Sequence, residues 1–425
     1  MVEFNPFFHR GPIHDPAYFF GRQRELVYLF DLVRQRQSVA IFGPRRMGKT
    51  SLLFHATHPE IIRKAGFDPA RTRCVTVDGG MLDGLDEAWL NGAIGRGLGG
   101  EIDAIPFDHL VGQVRALARQ GDQLIVALDE FDLIAANPRF DASVFNRLKG
   151  LAAQYPIQFI TASTSPLANL PFASGEARRS HFFNNFAACR LATFDSSEAA
   201  DLLSALSARS GKPFAEADIE RILDWVGTHP LFLQIAAYRV FAAMSNDATG
   251  VEAIDEIRQQ IIEDIEPHLE YYWNGLTAED RTTLAALPLH HLPPSDPALQ
   301  RLASAGVIAA ASYPGDLVRE FVRRQSVEGL LQAGPFVMDI RRRVVSVDGK
   351  LVHLTPTEFS ALRLLLETGS HLLTPEDIET ALWPSEIAPD PERARGVMKK
   401  LRRTLGTAGE HIVTMRGQGY LFRGK

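Results

Sequence analysis

The sequence predicts an α/β core with a parallel sheet, a helical middle region and a small α+β domain at the end. Five short, β-rich, mostly apolar runs alternate with longer helical runs between Ser38 and Phe194, and helical spacing of apolar residues follows from Asp195 to about Glu266. After Gly334, β-like runs precede three helical segments. The 425 residues suffice for about three domains, and 45% hydrophobic with 23% charged residues excludes a collagen-like, low-complexity or wholly disordered chain.

The five β-rich runs are typical of strands that are buried on both faces. They are apolar almost throughout, which is the pattern of strands in a parallel sheet covered by helices on each side. Alternation with helical segments predicts an α/β core of the nucleotide-binding type. The runs are SVAIF (38–42), CVTVD (74–78), QLIVALD (123–129), PIQFITAS (156–163) and ACRLATF (188–194).

A glycine-rich segment directly follows the first run. Residues 43–50, GPRRMGKT, fit the pattern G-x-x-x-x-G-K-[ST], and the helical SLLFHA comes next. The backbone N–H groups of such a loop bind phosphates, and the helix N-terminus adds the positive end of its dipole. The segment predicts a nucleotide site, with a degenerate loop that no longer binds as the alternative. The expected nucleotide-binding residues here are Gly43, Pro44, Arg45, Arg46, Met47, Gly48, Lys49, Thr50 and Ser51.

Two carboxylates end the third run. The segment LIVALDEFD places Asp129 and Glu130 at the end of a buried strand, where a carboxylate is costly unless it meets a cation or polarises a water. We expect Thr50 and Asp129 to ligate Mg²⁺. Lys49, which would contact the β- and γ-phosphates, and Glu130, which would orient the attacking water, are the expected catalytic residues.

Polar residues close to this site have simpler interpretations. Asp132 is expected to be a charge in the first turn of a helix, where the helix dipole favours a carboxylate. Thr161, Ser163 and Thr164 end the next strand. They either sense the γ-phosphate or are ordinary hydroxyls at a strand end.

Several of these segments together resemble a known family. The opening NPF and FFGRQREL (5–26), the loop GPRRMGKTSLL, the strand with its acids LDEFD, and FITASTSPLANL are similar to the bacterial STAND branch of AAA-related signalling ATPases. The resemblance continues through RLATFDSSEAADLL and GTHPLFLQ to about residue 325. It implies that Phe20, Gly21 and Arg22 help to hold the base of ATP or ADP.

The same resemblance assigns a second nucleotide contact. In this family a G-x-P motif in the helical region touches the nucleotide, and Thr228, His229 and Pro230 occupy its position here, with threonine in place of the usual glycine. Pro230 is therefore an expected nucleotide contact. Its simpler interpretation is the first turn of a helix, which proline favours.

The motifs divide the chain into four expected domains. These are a P-loop NTPase core of the AAA/STAND type over 1–205, a helical lid over 206–266, a winged-helix-like domain over 267–330 and a winged helix-turn-helix domain over 334–425. In the third domain, Thr277 and Asp280 have the spacing of a helix cap. A loop with Pro288, Pro293, Pro294 and Pro297, a helix and a β-hairpin are expected to follow.

The C-terminal 92 residues differ from the rest in charge. They contain 14 Lys/Arg against 11 Asp/Glu, a net charge of +3, whereas the preceding 333 residues contain 31 against 40 and carry −9. The segment 392–405, ERARGVMKKLRRTL, predicts a helix with an apolar stripe on one side and six cations on the other. A helix inserted into a DNA groove has this pattern, and a solvated basic face is the alternative. The six cations are Arg393, Arg395, Lys399, Lys400, Arg402 and Arg403.

The surroundings of this helix also resemble a known family. The segments LTPTEFSALRLLL (354–366), Leu382-Trp383, KKLRRTL (399–405) and IVTMRGQGYLF (412–422) are similar to the OmpR-type winged-helix DNA-binding domain, with the spacing of the module retained. The resemblance implies that 392–405 is the recognition helix for the major groove and that Arg416 lies at the wing. Arg395 stands where the family commonly has an acidic residue, so the family's base preference does not transfer.

The two halves predict an ATP-dependent transcription regulator with ATP or ADP and Mg²⁺ as cofactors and double-stranded DNA as partner of 334–425. Slow ATP hydrolysis would reset a switch in domain arrangement or homo-oligomerisation. The alternatives are a DNA-directed ATPase of replication, transposition or anti-phage defence, and a binding scaffold that does not hydrolyse ATP.

Cys74 and Cys189 indicate neither a disulfide framework nor a zinc site. No leader or membrane span is evident, so a cytoplasmic location is expected.

Overall fold

The computed structural model describes residues 4–7, 11–173, 175, 182–245, 251–289, 295–308, 312–325, 327, 329–340, 342–384 and 390–423. The chain divides into two compact units, Met1–Ile265 with Ser304–Gly306 and Glu266–Ala303 with Val307–Lys425. The boundaries of the four expected domains stay a prediction. No helix within the described ranges is long and apolar enough to cross a membrane.

The first unit is built around a five-stranded parallel sheet. Its strand order is β2-β3-β4-β1-β5, and every neighbouring pair is parallel. The predicted α/β core with a parallel sheet is therefore confirmed. The strands are β1 (Ser38–Phe42), β2 (Thr72–Asp78), β3 (Gln123–Asp129), β4 (Ile157–Ser163) and β5 (Phe186–Arg190).

The sheet is buried on both faces. Successive side chains of a strand point to opposite sides, and each side packs in its own apolar cluster. In β3, Val126 and Leu128 pack in one apolar cluster with Phe159. The intervening Ile125 and Ala127 belong to the cluster on the other face. This two-sided burial is the physical reason for the nearly continuous apolar runs in the sequence.

The fifth strand is shorter than the predicted run 188–194. It ends at Arg190, and the backbone N–H of Leu191 makes one further bond to the Phe42 carbonyl, 2.8 Å. The next carbonyl, that of Ala192, accepts a hydrogen bond from the side chain of Arg22 at 2.7 Å. Beyond the end of β5, this carbonyl is therefore bonded to a side chain and not to a neighbouring strand.

Helices surround this sheet and form the expected helical region after it. The helix that follows β5 begins with a capping box, in which the carboxylate of Asp195 accepts from the N–H of Glu198 at 2.8 Å. The helices are α1 (Gln23–Arg34), α2 (Lys49–Thr57), α3 (Pro59–Lys64), α4 (Glu87–Gly97), α5 (Phe107–Arg119), α6 (Phe131–Ala136), α7 (Ala142–Gln154), α8 (Ser196–Arg209), α9 (Glu216–Val226), α10 (Pro230–Ser245) and α11 (Val251–Gly275).

The second unit continues with three shorter helices, α12 (Ala278–Ala285), α13 (Pro297–Ser304) and α14 (Asp316–Arg324). The expected cap is present, because the Thr277 hydroxyl accepts from the N–H of Asp280 at 3.1 Å. Where a β-hairpin was expected after the second of these helices, the described residues contain α14. Its four buried side chains, Leu317, Val318, Phe321 and Val322, have helical spacing that the sequence analysis missed. Pro293 and Pro294 of the expected loop lie outside the described residues.

The end of the chain folds as a winged helix-turn-helix, as predicted. An antiparallel sheet of β6 (Leu330–Ala333), β7 (Phe336–Asp339), β8 (Val344–Val347) and β9 (Lys350–Val352) precedes the helices. Asp348 and Gly349 both have positive φ, 49° and 76°, and form the expected hairpin turn. Three helices and a hairpin follow, namely α15 (Pro356–Thr368), α16 (Pro375–Leu382), α17 (Pro391–Leu405), β10 (Ile412–Met415) and β11 (Gly419–Phe422).

Candidate functional site

The glycine-rich loop connects β1 to α2, as the motif requires. Gly48 has φ +86° and precedes the first residue of α2, a backbone conformation that glycine adopts without strain. A Cβ on Gly43 would lie 2.3 Å from the carbonyl oxygen of Leu191, so only glycine lets the loop pass the chain after β5. The backbone of the loop is thus placed at a helix N-terminus, where N–H groups can bind an anion.

Lys49, the first residue of α2, extends across this loop. Its Nζ donates to the carbonyl oxygens of Gly43 and Pro44, both at 2.7 Å. Burial lowers the pKa of Lys49 to about 8, and the carboxylates of Asp132 and Asp129 oppose this shift. A partly desolvated cation in this position is suited to hold phosphate oxygens.

Asp129 ends β3 beside the start of α2. Burial raises the pKa of Asp129, and the nearby carboxylate of Asp78 adds to this shift. The nearby Thr50 hydroxyl favours the charged form of the Asp129 carboxylate and so lowers its pKa, against this shift. Among the described residues no group of three or more His, Cys, Asp or Glu could hold a metal ion. The pair fits Mg²⁺, which uses one or two protein oxygens together with the phosphates of its nucleotide.

Glu130 follows Asp129 in a left-handed backbone conformation with φ 45°, and its side chain is exposed. The end of β2 lies against it. A Cβ on Gly79 would be 2.5 Å from the Glu130 carbonyl oxygen, and one on Gly80 would be 3.2 Å from its carboxylate. The glycine pair that follows Asp78 in the sequence was the missed signal of this close approach. Because Gly79 and Gly80 have no side chains, the Glu130 carboxylate stays exposed to solvent at the carboxyl edge of the sheet.

Asp132 has a more specific place than the helix charge expected from the sequence. It accepts from the backbone N–H of Thr164 at 2.9 Å and from its hydroxyl at 2.5 Å. The Ser163 hydroxyl donates to the carbonyl of Ser165, 2.7 Å, and Thr161 is fully buried. Asp132 thus joins the ends of β3 and β4, and the hydroxyls of Ser163 and Thr164 are hydrogen-bonded within the protein.

A pocket lies beside the start of α2. The predicted residues that line it are Phe20, Arg22, Arg46, Met47, Gly48, Lys49, Thr50, Ser51 and Pro230. Among the predicted nucleotide-binding residues, Gly21, Gly43, Pro44 and Arg45 are not part of its lining. Lining residues that the sequence analysis missed are Gly11, Pro12, Ile13, Phe19, Phe194, Leu202, Leu231 and Gln234.

Arg22 joins the phosphate loop to the rest of the pocket. Its guanidinium donates to the carbonyls of Met47 at 3.1 Å and Ala192 at 2.7 Å, and it lies 4.6 Å from the ring centroid of Phe194. The residue is 3% exposed, and burial lowers its pKa. Arg22 therefore holds the backbone that forms the pocket and also lines it, and its part in holding the base stays a prediction.

Two distant segments complete the pocket. Near the N-terminus, the backbone N–H of Ile13 donates to the Ser51 hydroxyl at 3.0 Å. At the other side Pro230 is both the first residue of α10 and part of the lining, so its two sequence interpretations are compatible. The stretch around Ile13 carries no periodic signal, which is why the sequence did not identify it.

Helix α17 has the predicted two-sided character, but its cations differ in their surroundings. Ala394, Met398, Leu401 and Leu405 are buried on its inner side. Arg393 donates to the carboxylate of Glu379, whose side chain is 2% exposed, and lies 3.8 Å from the ring centroid of Trp383. The sequence did not show that this arginine turns toward α16.

The remaining cations fall into two groups. Arg395 pairs with Glu392 one turn before it, and Arg402 donates to the Ile412 carbonyl and lies 5.5 Å from the ring centroid of Tyr420. Both side chains have partners within their own domain. Among the predicted DNA contacts, the exposed cations that make no ion pair with any described residue are Lys399, Lys400, Arg403 and, in the turn between β10 and β11, Arg416.

Comparisons with known families identify the two parts of the chain. Residues 105–288 match the family described as novel STAND NTPase 2, a match that begins after the phosphate loop. Residues 349–422 match the family described as transcriptional regulatory protein, C terminal. The chain therefore contains a STAND-type NTPase domain and an OmpR-type winged-helix DNA-binding domain, as the two resemblances implied.

Curated relatives match the second of these parts. The sensory transduction protein RegX3 of Mycolicibacterium smegmatis is 33% identical over 100 residues, which are 23% of this chain and 44% of RegX3. The two-component response regulator PhoP of Pseudomonas aeruginosa is 33% identical over 105 residues, 24% of this chain and 47% of PhoP. The chain thus spans less than half the length of these relatives.

Among solved structures, the ORC2 protein of Aeropyrum pernix, solved as ADPNP and ADP complexes, is similar to the first part. It has a TM-score of 0.53 and 16% identity, covering 76% of this chain and 97% of that protein. A Walker-type ATPase of Pyrococcus abyssi has a TM-score of 0.52 and 14% identity, with 75% and 99% coverage. At such low identity these likenesses concern the fold alone, and they agree with the predicted P-loop ATPase fold.

Proposed function

We propose that this chain is an ATP-dependent, DNA-binding transcription regulator in which the bound nucleotide sets domain arrangement or oligomeric state. One observation carries the proposal: a phosphate loop with its pocket and an OmpR-type DNA-binding domain belong to one chain. In such a chain, the nucleotide bound to the NTPase domain can control the DNA-binding domain. A ligand shifts such an equilibrium only as far as its affinities for the two forms differ.

In this proposal the phosphates of ATP or ADP lie at the N-terminus of α2. Lys49 exchanges its two loop carbonyls for phosphate oxygens, and the backbone of residues 43–50 supplies N–H donors. The aromatic side chains of Phe19 and Phe20 line the same pocket and are suited to a base. The segment 11–13 covers one side of it.

The switch would be reset by slow hydrolysis. Thr50 and Asp129 are the residues that would hold Mg²⁺, which supplies charge neutralisation at the phosphates. Glu130 is exposed at the same edge of the sheet and would orient the attacking water. Asp132 is held by Thr164 and favours the charged form of Lys49, so we assign it a positioning role.

At the other end of the chain, α17 would enter the major groove of double-stranded DNA. The cations that we assign to phosphates are Lys399, Lys400, Arg403 and Arg416, because each is exposed and unpaired among the described residues. Arg395 is exposed on the same helix and needs only to leave Glu392 to reach a base edge. Arg393 and Arg402 serve to position the helix and the wing.

The test is to sequence the DNA fragments that the purified protein retains from a genomic library with ATP, with ADP and without nucleotide. A regulator of this kind selects a small set of promoter sites, and the selection or its yield changes between ATP and ADP. Lys49→Ala should abolish the difference in DNA selection between ATP and ADP, while DNA binding itself remains. Identical, sequence-independent retention under all conditions would contradict the proposal and favour an ATPase that acts on DNA without regulating promoters.

A further inference from the structure

The side chain of Gln234 lines the pocket beside the phosphate loop and lacks partners. It lies one turn into α10, and the residue is 5% exposed. Both its Oε1 and its Nε2 are buried without a hydrogen-bond partner among the described residues. A buried carboxamide in this condition is unfavourable, because it has lost its water without gaining another partner. A ligand that fills the pocket would relieve this cost.

Gln234 differs from the polar side chains of the phosphate loop. The pocket that it lines also has many apolar residues, among them Ile13, Phe19, Phe20 and Leu202, and Leu231 lies about one turn before Gln234 on α10. The polar side chains on the loop side have partners within the protein. Arg22 bonds to two carbonyls, Lys49 to two others, and the Ser51 hydroxyl accepts from the N–H of Ile13. Gln234 therefore offers this largely apolar pocket a donor and an acceptor that the described protein does not use, and a nucleobase can pair with both.

We propose that Gln234 recognises the hydrogen-bonding edge of the base and selects adenine over guanine. The inference rests on the proposed function, that is, on a nucleotide in this pocket. A carboxamide matches adenine because the N6 amino donor stands next to a ring-nitrogen acceptor, the arrangement that Gln pairs with through two hydrogen bonds. Oε1 would accept from N6, and Nε2 would donate to the ring nitrogen.

Guanine fits the same place poorly. The edge with N7 and O6 offers two acceptors, so the Gln234 oxygen would face another oxygen. The opposite edge offers O6 and N1–H, but pairing through it would also bury the 2-amino group in a pocket whose lining includes apolar residues such as Phe19 and Leu202. A buried amino group without an acceptor costs affinity. The selectivity comes from the mismatch as much as from the match.

The experiment measures competition of ATP, GTP and purine riboside triphosphate against a ribose-labelled fluorescent ATP on the full chain. Purine riboside triphosphate lacks the 6-amino group and isolates that contact. Wild-type protein should prefer ATP to each competitor by about 5- to 150-fold, the range for a lost hydrogen bond that leaves its partner unpaired. In Gln234→Leu, ATP should weaken to the level of purine riboside triphosphate. Gln234→Glu, which keeps the acceptor but lacks the donor, should also weaken ATP.

A matched control is Gln158→Leu. Gln158 is 1% exposed in β4, its Oε1 is also unpartnered among the described residues, and it does not line the pocket. This variant should keep the wild-type ratios, and melting without nucleotide shows whether each variant is folded. Two results would overturn the inference while the proposed function stands, provided that wild type binds ATP through Lys49. The first is that Gln234→Leu and Gln234→Glu keep the wild-type ratios of ATP affinity to GTP and purine riboside triphosphate affinity. The second is that GTP binds wild type as well as ATP does. If wild type binds no nucleotide, both fail.

Discussion

The salt dependence of DNA binding is a direct test of how the cations of the C-terminal domain are used. Of the seven cations predicted to contact DNA, four are exposed and make no ion pair among the described residues, namely Lys399, Lys400, Arg403 and Arg416. Each phosphate that is neutralised on B-DNA adds about −0.9 to the slope of log K against log salt. Four contacts give a slope of about −3.6. The affinity should then fall about 150-fold between 50 and 200 mM salt.

The measurement is the fluorescence anisotropy of a labelled random-sequence duplex at four salt concentrations, with the full chain and without nucleotide. Arg403→Ala removes one phosphate contact, so its slope should be about −2.7. Arg393→Ala, measured at a temperature at which melting shows the variant to be folded, should keep the wild-type slope, because this guanidinium is held by Glu379 and Trp383. The two substitutions remove the same charge from the same helix, and only the surroundings of that charge differ.

A second control separates contact from net charge. Arg319 is a half-exposed arginine of α14 that pairs with Asp316 and lies outside the DNA-binding domain. Arg319→Ala should leave the slope unchanged. A wild-type slope shallower than −1 would refute the assignment of phosphate contacts. So would a loss of 0.9 in Arg393→Ala together with an unchanged slope in Arg403→Ala.

Three further predictions concern the nucleotide site and the packing of α17. Lys49→Ala should abolish ATP binding in a filter or fluorescence assay, whereas Glu130→Gln should retain binding and lose phosphate release; equal turnover by Glu130→Gln and wild type would show that this carboxylate is not the base. Because burial lowers the pKa of Lys49 to about 8 and phosphate favours its charged form, ATP binding should take up protons above pH 8 and weaken as the pH rises further. Calorimetry in two buffers of different ionisation enthalpy measures this uptake, and its absence at pH 9 would contradict the role of Lys49. Arg393→Ala leaves Glu379 buried without its partner and should destabilise the C-terminal domain by about 3 kcal/mol, seen as faster hydrogen exchange in α16 and α17, while protection equal to wild type would refute it.

The sequence alone was sufficient to predict the elements that have a regular apolar pattern or a backbone conformation that only glycine adopts easily. The strands β1 and β3 match the predicted runs because their burial on both faces required apolar residues throughout. The phosphate loop was predictable because residues 43–50 adjoin in the chain and the positive φ of Gly48 demands glycine. The stripe of α17 was predictable because four buried side chains recur with the helical period.

Tertiary structure decided which partner each polar side chain meets, since such contacts join residues far apart in the chain. Arg22 and Arg393 have the same charge and chemistry as Arg403, yet the first holds two carbonyls across 25 and 170 residues and the second lies against α16. Gln234 looks like any helical glutamine until Phe19 and Ile13 enclose the pocket that it lines. A periodic pattern records whether a position is buried, because burial acts on every turn of a helix or strand. It does not record the identity of the neighbour, because that depends on how the elements are brought together in three dimensions.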